Sequence, residues 1–430
     1  MSTLTQPIQG MSDITGAEVR LWRWMEETAR GVMTRYGFEE LRTPLMEHES
    51  VFVRSIGDTT DVVQKEMYVF EKGGRRYCLR PEGTAGVMRH AAGLGPQETD
   101  GARWFYLGPM FRCERPQAGR KRQFHQCGVE CLEAPSPVVD AEILALQMDL
   151  LQAWGLKNLA IHLNTRGAAA DHAPAAAALR AALAPHEAEL CEDCRRRIGQ
   201  NVLRVLDCKN EPCKAVVAGL PALTSFMSQE SRDYLDAVAS HLSVMGVPYM
   251  IDPLLVRGLD YYEHTIWEIV GTAAGSQSAL AGGGRYRIRL GERELCGVGF
   301  AIGMERVAAA LEEAGLAAAH GAAVPLDLWL VGLGDAAREA NLALMRSLRA
   351  AGLSCRMAPG GSMKSQMRAA NKSGARFALI RGEDELAAGT ANLKNLATGE
   401  QETLKTEAIE QRIQAISAAA APTAASGEPT

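Results

Sequence analysis

A chain of 430 residues, 47% hydrophobic and 23% charged, has material for two or three packed domains and is too apolar to be a disordered or fibrous protein. Its formal net charge of -5 excludes a globally basic nucleic-acid binder, so any polyanion must be met by local patches. Ten cysteines are too sparse for a disulfide scaffold, no apolar run of about 18 residues signals a membrane span, and Met1 to Pro7 lacks the features of a leader, so the expected location is the cytoplasm.

In chain order, Trp22, Met25, Ala29, Val32 and Tyr36 recur at helical spacing over 15–36, and Gly37 is the stop signal. Residues 38–47 read as extended, with Pro44 confined to an edge or an interface. Two short strands over 68–79 flank the turn Lys72-Gly73-Gly74-Arg75, and the second runs into Arg80-Pro81-Glu82-Gly83-Thr84, delivering a carboxylate and a hydroxyl to a loop. Trp104 to Met110 and Cys127 to Leu132 predict two antiparallel strands, the second alternating Gln126, Gly128 and Glu130 against apolar neighbours. A helix-rich stretch over about 168–241 interrupts the strand pattern, which resumes at 249–270 and 297–300. The whole predicts an antiparallel sheet with flanking helices and a helical insertion. After an alanine-rich helix, the small residues 317–323 predict a linker. Strands at 326–331, 354–357 and 377–380 then alternate with helices at 336–351 and 362–373, the pattern of a compact α/β domain with a parallel or mixed sheet. Residues 418–430 are low-complexity and expected to be disordered.

The loop between the paired strands carries Arg112, Glu114, Arg115, Gln117, Arg120, Arg122 and Phe124. Arginines are bidentate donors to phosphate, Phe124 offers a face for a base, and Glu114 can accept from an exocyclic amine. A solvated basic hairpin has the same composition; the apolar bracket on both sides favours a bound nucleotide. In the insertion, Cys191 and Cys194 precede Cys208 and Cys213 by a spacing that suits tetrahedral zinc, and four reduced thiols are the alternative. Arg257 sits at a strand end, where an arginine is commonly a surface ion-pair partner. Gly361 to Ser365 is no P-loop, because Lys364 follows a methionine. Ser362, Lys364, Arg368 and Lys372 nevertheless fall at helical spacing, and a basic helix there fits contact with an RNA backbone.

These segments together resemble the bacterial-type histidyl-tRNA synthetases of class II. Gly37 to Glu47 is similar to motif 1, Gly108 to Glu130 to motif 2, and Gly297 to Arg306 to motif 3; Leu255 to Tyr262 resembles the segment peculiar to the histidine-specific family. The resemblance implies an α+β catalytic domain over 1–320 with its helical insertion at about 168–244, an α/β anticodon-binding domain over 325–412, and a tail over 418–430. It implies ATP with Mg²⁺ as cosubstrate, L-histidine and tRNA(His) as substrates, and a homodimer. Arg112 and Arg257 are then the catalytic pair at the α-phosphate. Glu82, Gly83, Thr84, Arg112, Gln126, Glu130, Arg257, Tyr261 and Tyr262 would bind histidine. Arg112, Glu114, Arg120, Arg122, Phe124 and Arg306 would hold ATP, and Arg115 and Gln117 would face the tRNA acceptor end. The alternative within the same fold is a catalytically idle regulatory subunit of ATP phosphoribosyltransferase, which typically lacks the anticodon domain and groups such as Arg257. Two departures stand out. Arg287-Ile288-Arg289-Leu290 occupies a place where Asp-Gly and an apolar helix start are usual, and Glu263-His264 follows the tyrosine pair.

Overall fold

The computed structural model describes residues 5–57, 60, 62–117, 119–271 and 279–419. The first helix, Gly16–Arg35, buries Leu21, Trp22, Met25, Ala29, Val32 and Met33 along one stripe, and the chain leaves it through Gly37 at φ +77°, a left-handed conformation that favours glycine. Short strands β1 (Glu39–Glu40), β2 (Met46–His48), β3 (Val69–Lys72) and β4 (Arg75–Leu79) follow, with Pro44 outside them all. Next come β5 (Ala102–Phe111), β6 (Gln123–Leu132), β7 (Leu159–Thr165), β8 (Tyr249–Ile251), β9 (Tyr262–Gly271), β10 (Ala279–Leu290) and β11 (Arg293–Gly303). The sheet order is β1-β5-β6-β11-β10-β9-β7-β8, with β2-β4-β3 forming a second, small sheet.

The centre of the large sheet is antiparallel, as the sequence predicts. Its two end pairs, β1 with β5 and β7 with β8, are parallel. Each joins segments separated by a long connection, in the second case the helical insertion, and only such connections can return a strand in the same direction. Behind the sheet, helix Pro137–Ala153 is almost wholly buried and packs into one core with the first helix, Trp267, Phe300 and Ile302. Asp140 and Arg285 meet there as a fully buried ion pair. Thr265 Oγ1 (2.6 Å) and Tyr234 (3.0 Å) donate to the other carboxylate oxygen, so the desolvated charges are hydrogen-bonded as well as paired.

The atypical stretch at 287–290 proves to be strand. It prolongs β10 against β11 in register, with Ile288 buried and Arg287 paired to Glu263 and Glu294, so no helix starts there. A second correction concerns 317–323. Ala317–Gly321 is a helical turn packed on the first helix, where His320 stacks on Trp24 at 3.5 Å and Arg20 Nε donates to Gly321 O. Small residues there permit close approach: a Cβ on Gly321 would lie 3.3 Å from Ala17.

The insertion folds as helices Ala169–Leu183, Glu192–Gln200, Glu211–Ala218 and Gln229–Val244. Its own small core includes Leu179, Leu183, Val202, Val205, Val216 and the thiols Cys194 and Cys213. The chain divides into two compact units, Met1–Ala322 and Ala323–Thr430. The second has a mixed sheet of β12 (Leu328–Gly332), β13 (Cys355–Met357), β14 (Phe377–Arg381), β15 (Thr390–Asn395) and β16 (Gln401–Lys405) in the order β13-β12-β14-β15-β16. The last two strands pair antiparallel and were not apparent in the sequence. The final helix runs Ile409–Ala419; the tail beyond Ala419 lies outside the described residues.

Candidate active site

Strand alternation puts Gln126, Gly128 and Glu130 of β6 on one face of the sheet. Register aligns them with Gly303, Ala301 and Gly299 of β11, and those in turn with Gly282 and Gly284 of β10. The glycines make this face a floor over which large polar side chains lie. A Cβ on Gly299 would stand 2.2 Å from Glu130 Oε2, one on Gly128 2.4 Å from the Tyr106 hydroxyl, one on Gly282 2.6 Å from Arg257 Nη1, and one on Gly284 2.6 Å from the Tyr262 ring. Contacts that close are not seen for real Cβ atoms, so glycine is required for the side chains to rest where they do.

At one end of the floor the loop after β4 turns into helix Thr84–Ala92. Glu82 accepts from the backbone N–H of Thr84 and Ala85 (2.7 Å each), and Thr84 Oγ1 donates to Glu130 Oε1 at 2.6 Å. Gly83 is enforced by Tyr106, whose ring would lie 2.2 Å from a Cβ there. Tyr261 contacts Tyr262 (4.7 Å between ring centroids) and Tyr286 (5.8 Å), completing an aromatic wall. Burial pushes the Glu130 carboxyl up to about 8 and raises that of Glu82, with hydrogen bonds from Thr84 opposing both shifts. Gln126 Oε1 and Glu130 Oε2 are buried without a hydrogen-bond partner among the described residues. A buried amide oxygen such as that of Gln126 awaits a donor, a cation or an N–H group, and the Glu130 carboxyl, with Tyr286 beside it, can meet a cation once it gives up its proton.

At the other end, Arg112 Nε donates to Pro81 O (3.0 Å), and its guanidinium lies 5.2 Å from the centre of the Phe124 ring. Glu114 pairs with Arg120 at 3.5 Å. Arg306, in the first turn of helix Met304–Glu313, donates to Ala279 O. Its pKa is pulled down by burial and by Arg120 and Arg112, against the pull of Glu114 and Glu268. Arg306 is largely buried, Arg112 half-buried and Arg120 exposed, and three arginines gathered around Glu114 make an arrangement suited to phosphate. Arg257 is bound to Glu268 and lies 5.9 Å from the centre of the Tyr262 ring. Burial alone would lower its pKa, but Tyr262 and Glu268 hold it above its ordinary value, so it stays charged.

The structure thus brings Glu82, Gly83, Thr84, Gln126, Glu130, Tyr261 and Tyr262 together around one floor, with Arg112, Phe124, Glu114, Arg120, Arg257 and Arg306 beside it. Arg122 donates to the carbonyls of Glu114 and Gln9 (3.3 and 3.4 Å), contacts that brace the loop. Arg115 and Gln117 are exposed, and Gln117 exchanges both backbone hydrogen bonds with Arg120 in a tight turn. Sequence reasoning missed Tyr106, Tyr286, Glu268 and Glu305. Glu305 accepts from the backbone N–H of His125 and meets its ring at 3.1 Å, tying motif 3 to motif 2. Parity along β9, where Glu268 falls on the same face as Ile266 opposite Gly282 and Gly284, was the available signal for Glu268. Away from this site, the sulfurs of Cys191, Cys194, Cys208 and Cys213 lie within 4.8 Å of one another.

The profile of the family described as "Histidyl-tRNA synthetase" matches residues 10–307, and that of an "Anticodon binding domain" matches 328–416. A histidine-tRNA ligase of Solidesulfovibrio magneticus is 46% identical over 417 residues, covering 95% of this chain and 97% of its own. One from Halothermothrix orenii is 41% identical over 402 residues, covering 91% and 95%. Among solved structures, an apo histidyl-tRNA synthetase of S. aureus superimposes with a TM-score of 0.77 at 33% identity, covering 95% of this chain and 99% of the other.

Proposed function

The chain belongs to the histidyl-tRNA synthetase family, and from that premise we propose how its residues divide the work. Its activity is that of a histidine-tRNA ligase: ATP-dependent activation of L-histidine to histidyl-adenylate, then transfer to the 3′ end of tRNA(His). In the first step the substrate carboxylate attacks the α-phosphorus, the bond to the bridging oxygen breaks, and pyrophosphate leaves. Negative charge grows on the phosphoryl oxygens and on the leaving group. Arg112 and Arg257 meet that charge at the α-phosphate, where preorganised donors matter most. Phe124 carries the adenine, Glu114 accepts from its amino group, and Arg120 and Arg306 take the outer phosphates, with Mg²⁺ entering as the counter-ion of ATP. Arg122, which also braces this loop, is a further nucleotide contact.

Glu82, Thr84, Gln126 and Glu130 receive the ammonium and ring nitrogens of histidine, and Tyr261 and Tyr262 close over it. The observation that carries this reading is the buried, unpartnered acceptor Gln126 Oε1 beside the buried Glu130 carboxyl, both over a glycine floor. A site built of such groups rejects substrates lacking the matching donors by about 10⁴ to 10⁵, which makes editing unnecessary. The second unit reads the anticodon through the basic face of helix Met363–Ser373, and Arg115 and Gln117 face the acceptor end.

The active assembly is a homodimer in the cytoplasm. Its support is the apolar surface around the small sheet, where Leu45, Met46, Val69 and Phe70 are all exposed. An idle regulatory subunit is disfavoured by the charged, paired Arg257 and by the anticodon-binding domain. Charging of a tRNA(His) transcript with labelled histidine tests the assignment: ATP-dependent charging with histidine alone among the amino acids is expected, whereas histidine binding without charging would reverse it.

A further inference from the structure

The four cysteines of the insertion lie outside every step above, yet among the described residues they form the one group of His, Cys, Asp or Glu side chains placed to hold a metal ion. Two segments bring them together. Cys191 caps helix Glu192–Gln200 and Cys194 lies in its first turn; Cys208 precedes helix Glu211–Ala218 and Cys213 lies in that helix's first turn. Cys191, Cys194 and Cys213 therefore sit at helix N-termini, where unpaired N–H groups and the helix dipole favour negative sulfur. Cys191 N–H donates to Cys213 Sγ at 3.2 Å.

The sulfur geometry discriminates between the alternatives. A tetrahedron of thiolates about 2.3 Å from zinc has edges of about 3.8 Å; Cys191 and Cys208 stand 3.9 Å apart, and all four sulfurs fall within 4.8 Å. A disulfide would need about 2.05 Å, and all four thiols are free. Reduced thiols that served only as small hydrophobes would be dispersed through the core. Here Cys194 and Cys213 are buried at its edge while Cys191 and Cys208 remain partly open, which leaves a way in for an ion. The insertion also has a thin core, the kind that natural small modules supplement with a metal.

We propose that Cys191, Cys194, Cys208 and Cys213 bind one Zn²⁺ as a structural site, and that this site fixes the insertion against the substrate pocket. The link is direct. Asn201, immediately after the helix that Cys191 begins, donates from Nδ2 to Asp260 Oδ1 at 2.8 Å. Asp260 lies in the segment that carries Arg257, Tyr261 and Tyr262, and its carboxylate packs on Gly57. Cys191, Cys208 and Arg120 of the ATP loop also line one open surface cleft. Asn201 and the zinc are positioning elements; neither touches the reacting atoms.

Metal analysis of the full-length protein, purified without chelator, tests the site independently of activity. About one zinc per chain is expected, and cobalt exchange should give the ligand-field and thiolate charge-transfer bands of a tetrahedral centre. Cys208→Ser, at a partly exposed position, should lose the metal while the large sheet remains folded; Cys296→Ser, remote from the cluster, should keep it. Less than about half an equivalent after incubation with zinc, or full retention in Cys208→Ser, would overturn the site. For the coupling, removing the metal should speed amide exchange over 255–262 several-fold, and Asn201→Ala should raise the KM for histidine more than it lowers kcat with zinc content intact. Unchanged exchange on metal removal would overturn the coupling.

Discussion

The glycine-floored pocket and the cysteine-bearing insertion solve the same problem, holding polar groups in fixed places, by opposite means. In the pocket the large sheet supplies the rigidity. Its strands are pinned by a continuous core behind them and by the buried Asp140–Arg285 pair, so Glu130 and Arg257 need only the glycines beneath them and a hydrogen bond each. The insertion has a few short helices around a small core, and its order depends on local ties: Ser228 and Asp171 at helix ends, and the thiol cluster. Placement by a large core is robust to losing a single contact but intolerant of added volume, whereas placement by local ties has the reverse sensitivity.

That contrast is sharpened first by adding volume. Gly282→Ala should displace the Arg257 guanidinium while leaving the backbone in place, since the nearest atoms to the new methyl are all from that side chain. A shift of about 1 Å at a reacting group is expected to lower kcat on the order of a hundredfold, with little change in melting temperature. Steady-state kinetics beside thermal unfolding checks this, and equal losses in both would place the glycine in stability alone. A smaller effect is expected from Phe124→Ala, which removes the stacking face while the arginines remain: about 1 to 3 kcal/mol of ATP affinity, read from KM or direct titration.

The mildest test uses pH. With its carboxyl raised to about 8 by burial, Glu130 holds a proton at neutral pH in the empty pocket and must release it to meet a cationic group. Histidine binding should therefore tighten as pH rises from about 6.5 to about 8.5, with proton release on binding, and Glu130→Gln should remove that part of the dependence. A variant that keeps the full pH profile would assign the titration to another group.

Much of this was legible from residues alone. The first helix, the hairpin that delivers Glu82 and Thr84, the alternation at Gln126, Gly128 and Glu130, and the strand–helix order of the second unit all follow from periodicity and turn chemistry. What escaped was non-local or disguised. Three consecutive glycines, Gly282 to Gly284, are poor strand formers by propensity, so the twelve-residue strand β10 had no periodic signal and only its glycine-rich entry at 281–286 was legible, through the family resemblance. Glycine is tolerated there because Gly283 on the back face meets Trp267 and the Gly299 carbonyl while its neighbours underlie Arg257 and Tyr262. The Arg257–Glu268 and His125–Glu305 pairs depend on strand order and register, which no local pattern encodes. The small residues at 317–321 read as a linker because smallness can mean little to bury or close packing, and only the partner helix decides which.

The central claim is that Arg112 and Arg257 together neutralise the charge that grows during histidine activation. The most direct measurement is histidine-dependent exchange of pyrophosphate into ATP by the wild-type chain, Arg112→Ala and Arg257→Ala, with histidine binding followed in parallel. Each substitution should lower exchange on the order of a hundred- to a thousand-fold, about 3 to 4 kcal/mol, while the protein still folds and binds histidine. Exchange that persists near the wild-type rate in either variant would contradict the account.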